Sequence, residues 1–164
     1  MKTLWYRLLT GVFLFMWLAV IFRFSAQPAT ESGAVSGSVA FHVAGVFNEL
    51  FHMDRTEEEL FVYAGEIEHT VRKLAHVTEY AVLGILSSAC ILGYKKWSGG
   101  VAAGVFLLAV CYAATDEIHQ LYVPGREGSP VDVCIDSVGI LLGIGFFSLV
   151  LKFMESIAKK RAVR

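Results

Sequence analysis

The sequence predicts an all-α membrane protein, a four-helix bundle with short amphipathic interfacial helices in a long first outer loop. Three observations lead there. Apolar residues make up 55% of the 164 and charged residues only 18%, and mean hydropathy is +0.58. Four stretches, 4–22, 74–94, 99–119 and 133–153, approach the roughly 20 residues that a bilayer crossing needs. Charged and His residues gather at the ends of these stretches, where they are costly and mark function by default. Little sequence remains for a separate soluble core, so residues 1–164 read as one domain.

Each element follows from local chemistry. Lys2 and Arg7 precede the first apolar run as they would in a signal peptide. The run is too long for a signal core, and Arg23-Phe24-Ser25-Ala26-Gln27-Pro28 gives no clean cleavage site, so a retained helix is expected. Residues 23–73 form the long loop. Within it, Val39, Phe41, Val43, Val46, Phe47 and Leu50 suggest one short helix. Thr56-Glu57-Glu58-Glu59 is a helix-start signal for a second. Two such helices at the interface could cap or gate a pocket. His42, His52 and His69 read as ordinary interfacial residues, with no carboxylate at ligand spacing. Cys90, Cys111 and Cys134 have no C-x-x-C pairing and read as small apolar filler. Gly139 and Gly143 on the last span form a small-x-x-x-small face, and Gly100 with Gly104 on the third offers a matching surface.

Orientation follows from the basic residues. With the N-terminus inside, Lys2, Arg7, Lys95, Lys96, Lys152, Lys159, Lys160, Arg161 and Arg164 are cytoplasmic, against Arg23, Arg55, Arg72, Lys73 and Arg126 outside. The excess predicts both termini in the cytoplasm. Arg72, His76, Glu79 and Tyr80 then lie in the first turns of the second span, and Asp116, His119 and Gln120 in the last turn of the third. Asp132 and Asp136 open the fourth, so all converge at the outer edge of the bilayer. Spacings of three and four put each set on one helical stripe.

These positions resemble the VanZ-like family of bacterial membrane proteins, named for a teicoplanin-resistance protein. The likeness rests on Phe24-Ser25-Ala26-Gln27-Pro28, Lys73-x-x-His76-x-x-Glu79-Tyr80 and Asp116-Glu117-x-His119-Gln120-x-x-Val123-Pro124-Gly125-Arg126. Gly128-Ser129-x-x-Asp132-Val133-x-x-Asp136-x-x-Gly139 completes it. The resemblance implies a bacterial cell-membrane protein of the envelope, linked to glycopeptide tolerance. It supplies no mechanism.

The residue types allow three readings. In the first, His76, Glu79, Asp116, His119, Asp132 and Asp136 are catalytic in a hydrolase or transferase acting on a lipid-linked envelope substrate. Those six could hold a divalent metal such as Zn, Mn or Fe. Alternatively, His76 or His119 serves as a general base oriented by a carboxylate. Arg72, Lys73, Tyr80, Gln120, Arg126, Ser129 and Gln27 would bind substrate, the guanidiniums gripping phosphate or carboxylate. The second reading keeps the binding site without chemistry, recognising an anionic headgroup or envelope precursor. The third is a buried ion-pair network that fixes helix order. The expected partners are membrane lipids and a lipid-linked precursor. No nucleic acid is expected.

Overall fold

A computed structural model describes residues 2–162. Five helices account for nearly all of them: α1 (Lys2–Ser25), α2 (Ala29–Leu50), α3 (Glu57–Leu92), α4 (Gly99–Gln120) and α5 (Pro130–Ala162). Arg164, one of the residues counted in the orientation argument, lies outside the described set. All but α2 are long and apolar enough to cross a membrane.

The helix ends are chemically marked. Pro28 cannot continue a helix, so α1 stops before it and α2 starts after it. Thr56 caps α3 in the capping box that the sequence predicts. The Glu59 amide donates to the Thr56 hydroxyl at 3.3 Å, and the Thr56 amide donates to the Glu59 carboxylate at 2.9 Å. At its far end, Arg7 donates from Nε to the Gly93 carbonyl at 2.6 Å and lies over the Tyr94 ring. Ser98 accepts from the Val101 amide at the start of α4. Pro130 opens α5, where its missing N–H costs nothing.

The two short interfacial helices are not what the segment forms. α2 is a single helix of 22 residues, and the second expected helix is the opening of α3, which runs unbroken for 36 residues. Nothing between Thr56 and Gly93 can stop it. There is no Pro, and an isolated Gly65 or Gly84 costs only about 1 kcal/mol against Ala. At 1.5 Å per residue α3 is about 54 Å long, well beyond the roughly 30 Å of hydrocarbon. Its first turns therefore overhang the four-helix part and pair with α2. Ala40 and Ala44 on one helix and Ala64 on the other are buried there, flanked by Leu60, Tyr63 and Ile67.

Packing among the spanning helices depends on backbone approach. α3 and α5 run parallel, and a Cβ added at Gly139 or Gly143 would strike the carbonyl of Val77 or Ala81. One added at Gly84 would sit 2.6 Å from the Ile140 carbonyl. Such contact lets helices associate where lipid removes the hydrophobic drive. Gly100 and Gly104 do not supply the matching face, having no neighbour within 4 Å. The small-residue partner of α5 is α3, because both helices start at the same end of the bundle and can stay in register. Around this seam the core is Ile21, Tyr80, Leu83, Val105, Ala109, Ala113, Ile140 and Ile144. Large apolar side chains point outward instead, Phe15 at 73% exposure, Leu108 at 70% and Leu149 at 70%. That is a surface for lipid, since soluble chains rarely expose apolar patches of this extent.

Gly143→Leu is therefore expected to lower the amount of folded protein and its thermal midpoint in detergent, the overpacking costing about 1–3 kcal/mol or more. Gly104→Ala should leave the midpoint unchanged or slightly raised. Equal behaviour of the two variants would refute the seam.

Candidate functional site

The last turn of α4 carries three buried polar side chains, Asp116, Glu117 and Gln120. Tyr80 reaches them from α3, fully buried, and donates its hydroxyl to Asp116 Oδ2 at 3.2 Å. Gln120 Nε2 lies 3.4 Å from both Asp116 Oδ2 and Glu117 Oε1. Glu117 Oε2 accepts the Ser129 amide at 2.8 Å, placing an anion at the N-terminal end of α5. Gly128 permits that contact, because any Cβ there would run into the Glu117 carbonyl. Asp116 and Glu117 are thus tied into the helix ends.

Three basic side chains stand around this layer. Arg72 is held by Glu68 one turn earlier, at 2.5 Å, and Glu68 also takes the Ser36 hydroxyl from α2. Lys73 pairs with Asp132 across the α3–α5 interface. Arg126 is held differently. Its Nε donates to the Gln27 carbonyl and its Nη2 to the Phe24 carbonyl, both at 3.2 Å, so it caps the C-terminal end of α1. The Ala29 amide donates to the Pro124 carbonyl beside it, and Gly125, with φ +73°, makes the turn in a region that favours glycine. Among the described residues Arg126 has no carboxylate partner within ion-pair distance. Burial and the neighbouring Arg72 guanidinium pull it below its ordinary pKa, yet an arginine keeps its charge.

His76 and Asp136 complete the arrangement. His76 Nδ1 lies 4.0 Å from Asp136 Oδ1, within ion-pair range but too long for a hydrogen bond. Asp136 is 1% exposed and neither of its oxygens has a hydrogen-bond partner. A carboxylate in that state costs several kcal/mol if charged and unpaired. Spacing puts His76 and Glu79 on one helical stripe and Asp116 and His119 on another. In the structure His76 faces a carboxylate of another helix, and Asp116 is bound to Tyr80 and Gln120. His119 stacks on Phe22 at 4.6 Å between ring centroids, with its Nδ1 buried and unpartnered.

Two adjoining cavities lie at this end. The polar one, about 350 Å³, is lined by His69, Arg72, Lys73, His76, Gln120, Arg126, Glu127, Ser129 and Asp132, among others. The second, about 170 Å³, is walled by Phe24, Gln27, Val35, Val39, Val71 and Ala75, and Glu79 lines it one turn below His76. Arg72, His76 and Arg126 line both. Asp116, His119 and Asp136 line neither, standing behind the wall. Among the described residues, no three His, Cys, Asp or Glu side chains are grouped so that they could hold a metal ion.

A family model described as VanZ/LLP1 matches residues 10–151. The chain belongs to the VanZ/LLP1 family. The match spans all five helices of this VanZ/LLP1 protein, from the third turn of α1 to the second half of α5. No curated protein and no solved structure matches it.

Four contributors were not among the candidates taken from the sequence. Glu68 holds Arg72 and Ser36 in turn holds Glu68, and the i, i+4 spacing of Glu68 and Arg72 is a usable signal. His69, expected to be an ordinary interfacial residue, lines the polar cavity. Glu117, noted beside Asp116, anchors the Ser129 turn, which no spacing rule foretells.

Tyr80→Phe should lower thermal stability in detergent by about 1–3 kcal/mol, because Asp116 loses a buried donor. A midpoint equal to wild type would mean that the Tyr80–Asp116 contact carries no weight.

Proposed function

We propose that this family member binds an anionic, lipid-linked envelope substrate at the outer face of the membrane and acts on it as a hydrolase or transferase. The observation that carries this reading is Arg126, a cation fixed in the cavity wall by two carbonyls and left without a carboxylate. Arg72 stands close enough to repel it. An anion between the two guanidiniums relieves that repulsion and is gripped in the geometry suited to phosphate or carboxylate. His76, lining the same cavity, is the candidate general base, with Asp136 behind it to orient the imidazole. The donor geometry favours this metal-free version.

The outer-face assignment draws on the basic residues at the opposite end of the bundle: Arg7, Lys95, Lys96, Lys159, Lys160 and Arg161. Such an excess belongs in the cytoplasm, which leaves the cavities outside. The link to glycopeptide tolerance comes from the family resemblance, and an anionic lipid-linked wall precursor is a substrate consistent with it.

In a background lacking the native cysteines, Asp54→Cys should react with a membrane-impermeant maleimide on intact cells and Lys96→Cys should not. The reverse pattern would move the site to the cytoplasmic face.

Two further variants test the chemistry through teicoplanin susceptibility and phosphate binding measured together. Arg126→Gln should weaken phosphate binding about tenfold or more, the loss of one charge-assisted contact, and lower tolerance. His76→Asn should keep binding within about twofold and still lose tolerance. Full tolerance in His76→Asn would favour recognition without catalysis.

A further inference from the structure

Resting on the reading of an anionic, lipid-linked ligand, we propose that the apolar cavity between α2 and α3 receives the first methylenes of that ligand's hydrocarbon chain, with its phosphate held at the junction of the two cavities. The arrangement makes the site a receptor for phosphate-bearing amphiphiles, with one compartment for each half of the molecule.

Three observations converge on this. The compartments adjoin, since the walls of both include Arg72, His76 and Arg126, the groups suited to the charged end. Their linings differ in kind. Beyond the junction one is polar, with Lys73, Gln120, Ser129 and Asp132, and the other is walled by Val35, Val39, Val71 and Ala75. The size also fits. At about 30 Å³ per water-sized group, the 170 Å³ of the apolar cavity holds about five or six methylene-sized groups.

The placement also gives α2 a purpose. It is the one helix without a membrane-length apolar window, yet it exposes Val35 and Val39 on the side that faces the junction. The Ser36 hydroxyl on the same face holds Glu68, which holds Arg72. One helix face thus shapes the apolar wall and fixes the guanidinium at its edge. Glu79 lines the apolar compartment just below the junction. A phosphate ester held between Arg72 and Arg126 would send its chain into the compartment that His76 and Glu79 both line.

The test compares two probes on full-length protein in detergent by titration calorimetry: dihexanoyl phosphatidic acid, and glycerol 3-phosphate as its headgroup alone. Wild type should bind the lipid at least about tenfold more tightly, since burying even two or three methylenes suffices for that. Val39→Trp, which fills the apolar cavity, should erase the difference to within about twofold and leave glycerol 3-phosphate binding as it was. Val35→Asn makes the cavity polar without bulk and should do the same, which guards against a misfolded Trp variant. Val46→Trp, on the same helix away from both cavities, should retain the preference and controls for partitioning into micelles. Equal binding of both probes by wild type would overturn the chain compartment while leaving the anion site intact. A lipid preference untouched by Val39→Trp and Val35→Asn would overturn it too, sending the chain elsewhere. No binding of either probe would overturn this proposal together with the reading beneath it.

Discussion

Two helix backbones meet where α3 and α5 cross the membrane, and the polar layer depends on how closely they do so. At Gly139, Gly143 and Gly84 a methyl group is already too much. In lipid there is no hydrophobic gain from joining two apolar helices, so van der Waals contact between main chains must supply the association. Because the helices run parallel, the seam also sets a register. Val77 faces Gly139 and Ala81 faces Gly143, and further along the same interface His76 comes near Asp136 and Lys73 meets Asp132. A slip of one residue would turn those side chains away from each other.

The polar layer answers in the same terms how so many ionisable groups coexist at a bundle end. Lys73 and Arg72 are paired with carboxylates, Glu117 accepts from a backbone amide, and Asp116 accepts from a tyrosine and an amide side chain. Those pairings resemble a structural network, and they account for much of the ion-pair reading of the sequence. They leave over Arg126, bound to carbonyls, Asp136, with no hydrogen bond and only His76 at ion-pair distance, and the buried Nδ1 of His119.

Much of this was legible in the residues. The four spans follow from apolar length, the start of α3 from Thr56 and Glu59, and the gathering of charges from their positions at helix ends. The misreadings share a cause. Spacing rules speak about one helix at a time, so they group His76 with Glu79 and are silent on Asp136, which lies on α5 and reaches to 4.0 Å from His76. The small-residue pattern at Gly139 and Gly143 announces close approach without saying to which neighbour. Apolar composition marks where a helix enters lipid and not where it begins, so the first half of α3 was assigned to a separate element. The carbonyls that hold Arg126 carry no side-chain signature at all.

The unbroken length of α3 has a mechanical meaning. From Glu57 to His76 the chain is one rod about 28 Å long, stiffened by its internal hydrogen-bond ladder and without a Pro to act as a joint. Its free end, together with α2, stands clear of the four-helix part. Tilting such a rod by 5° swings its tip by roughly 2–3 Å, and the wall that carries Arg72 and His76 must rotate with it. Whatever touches the far tip is therefore in rigid communication with the cavity, and no loop lies between them to absorb the motion.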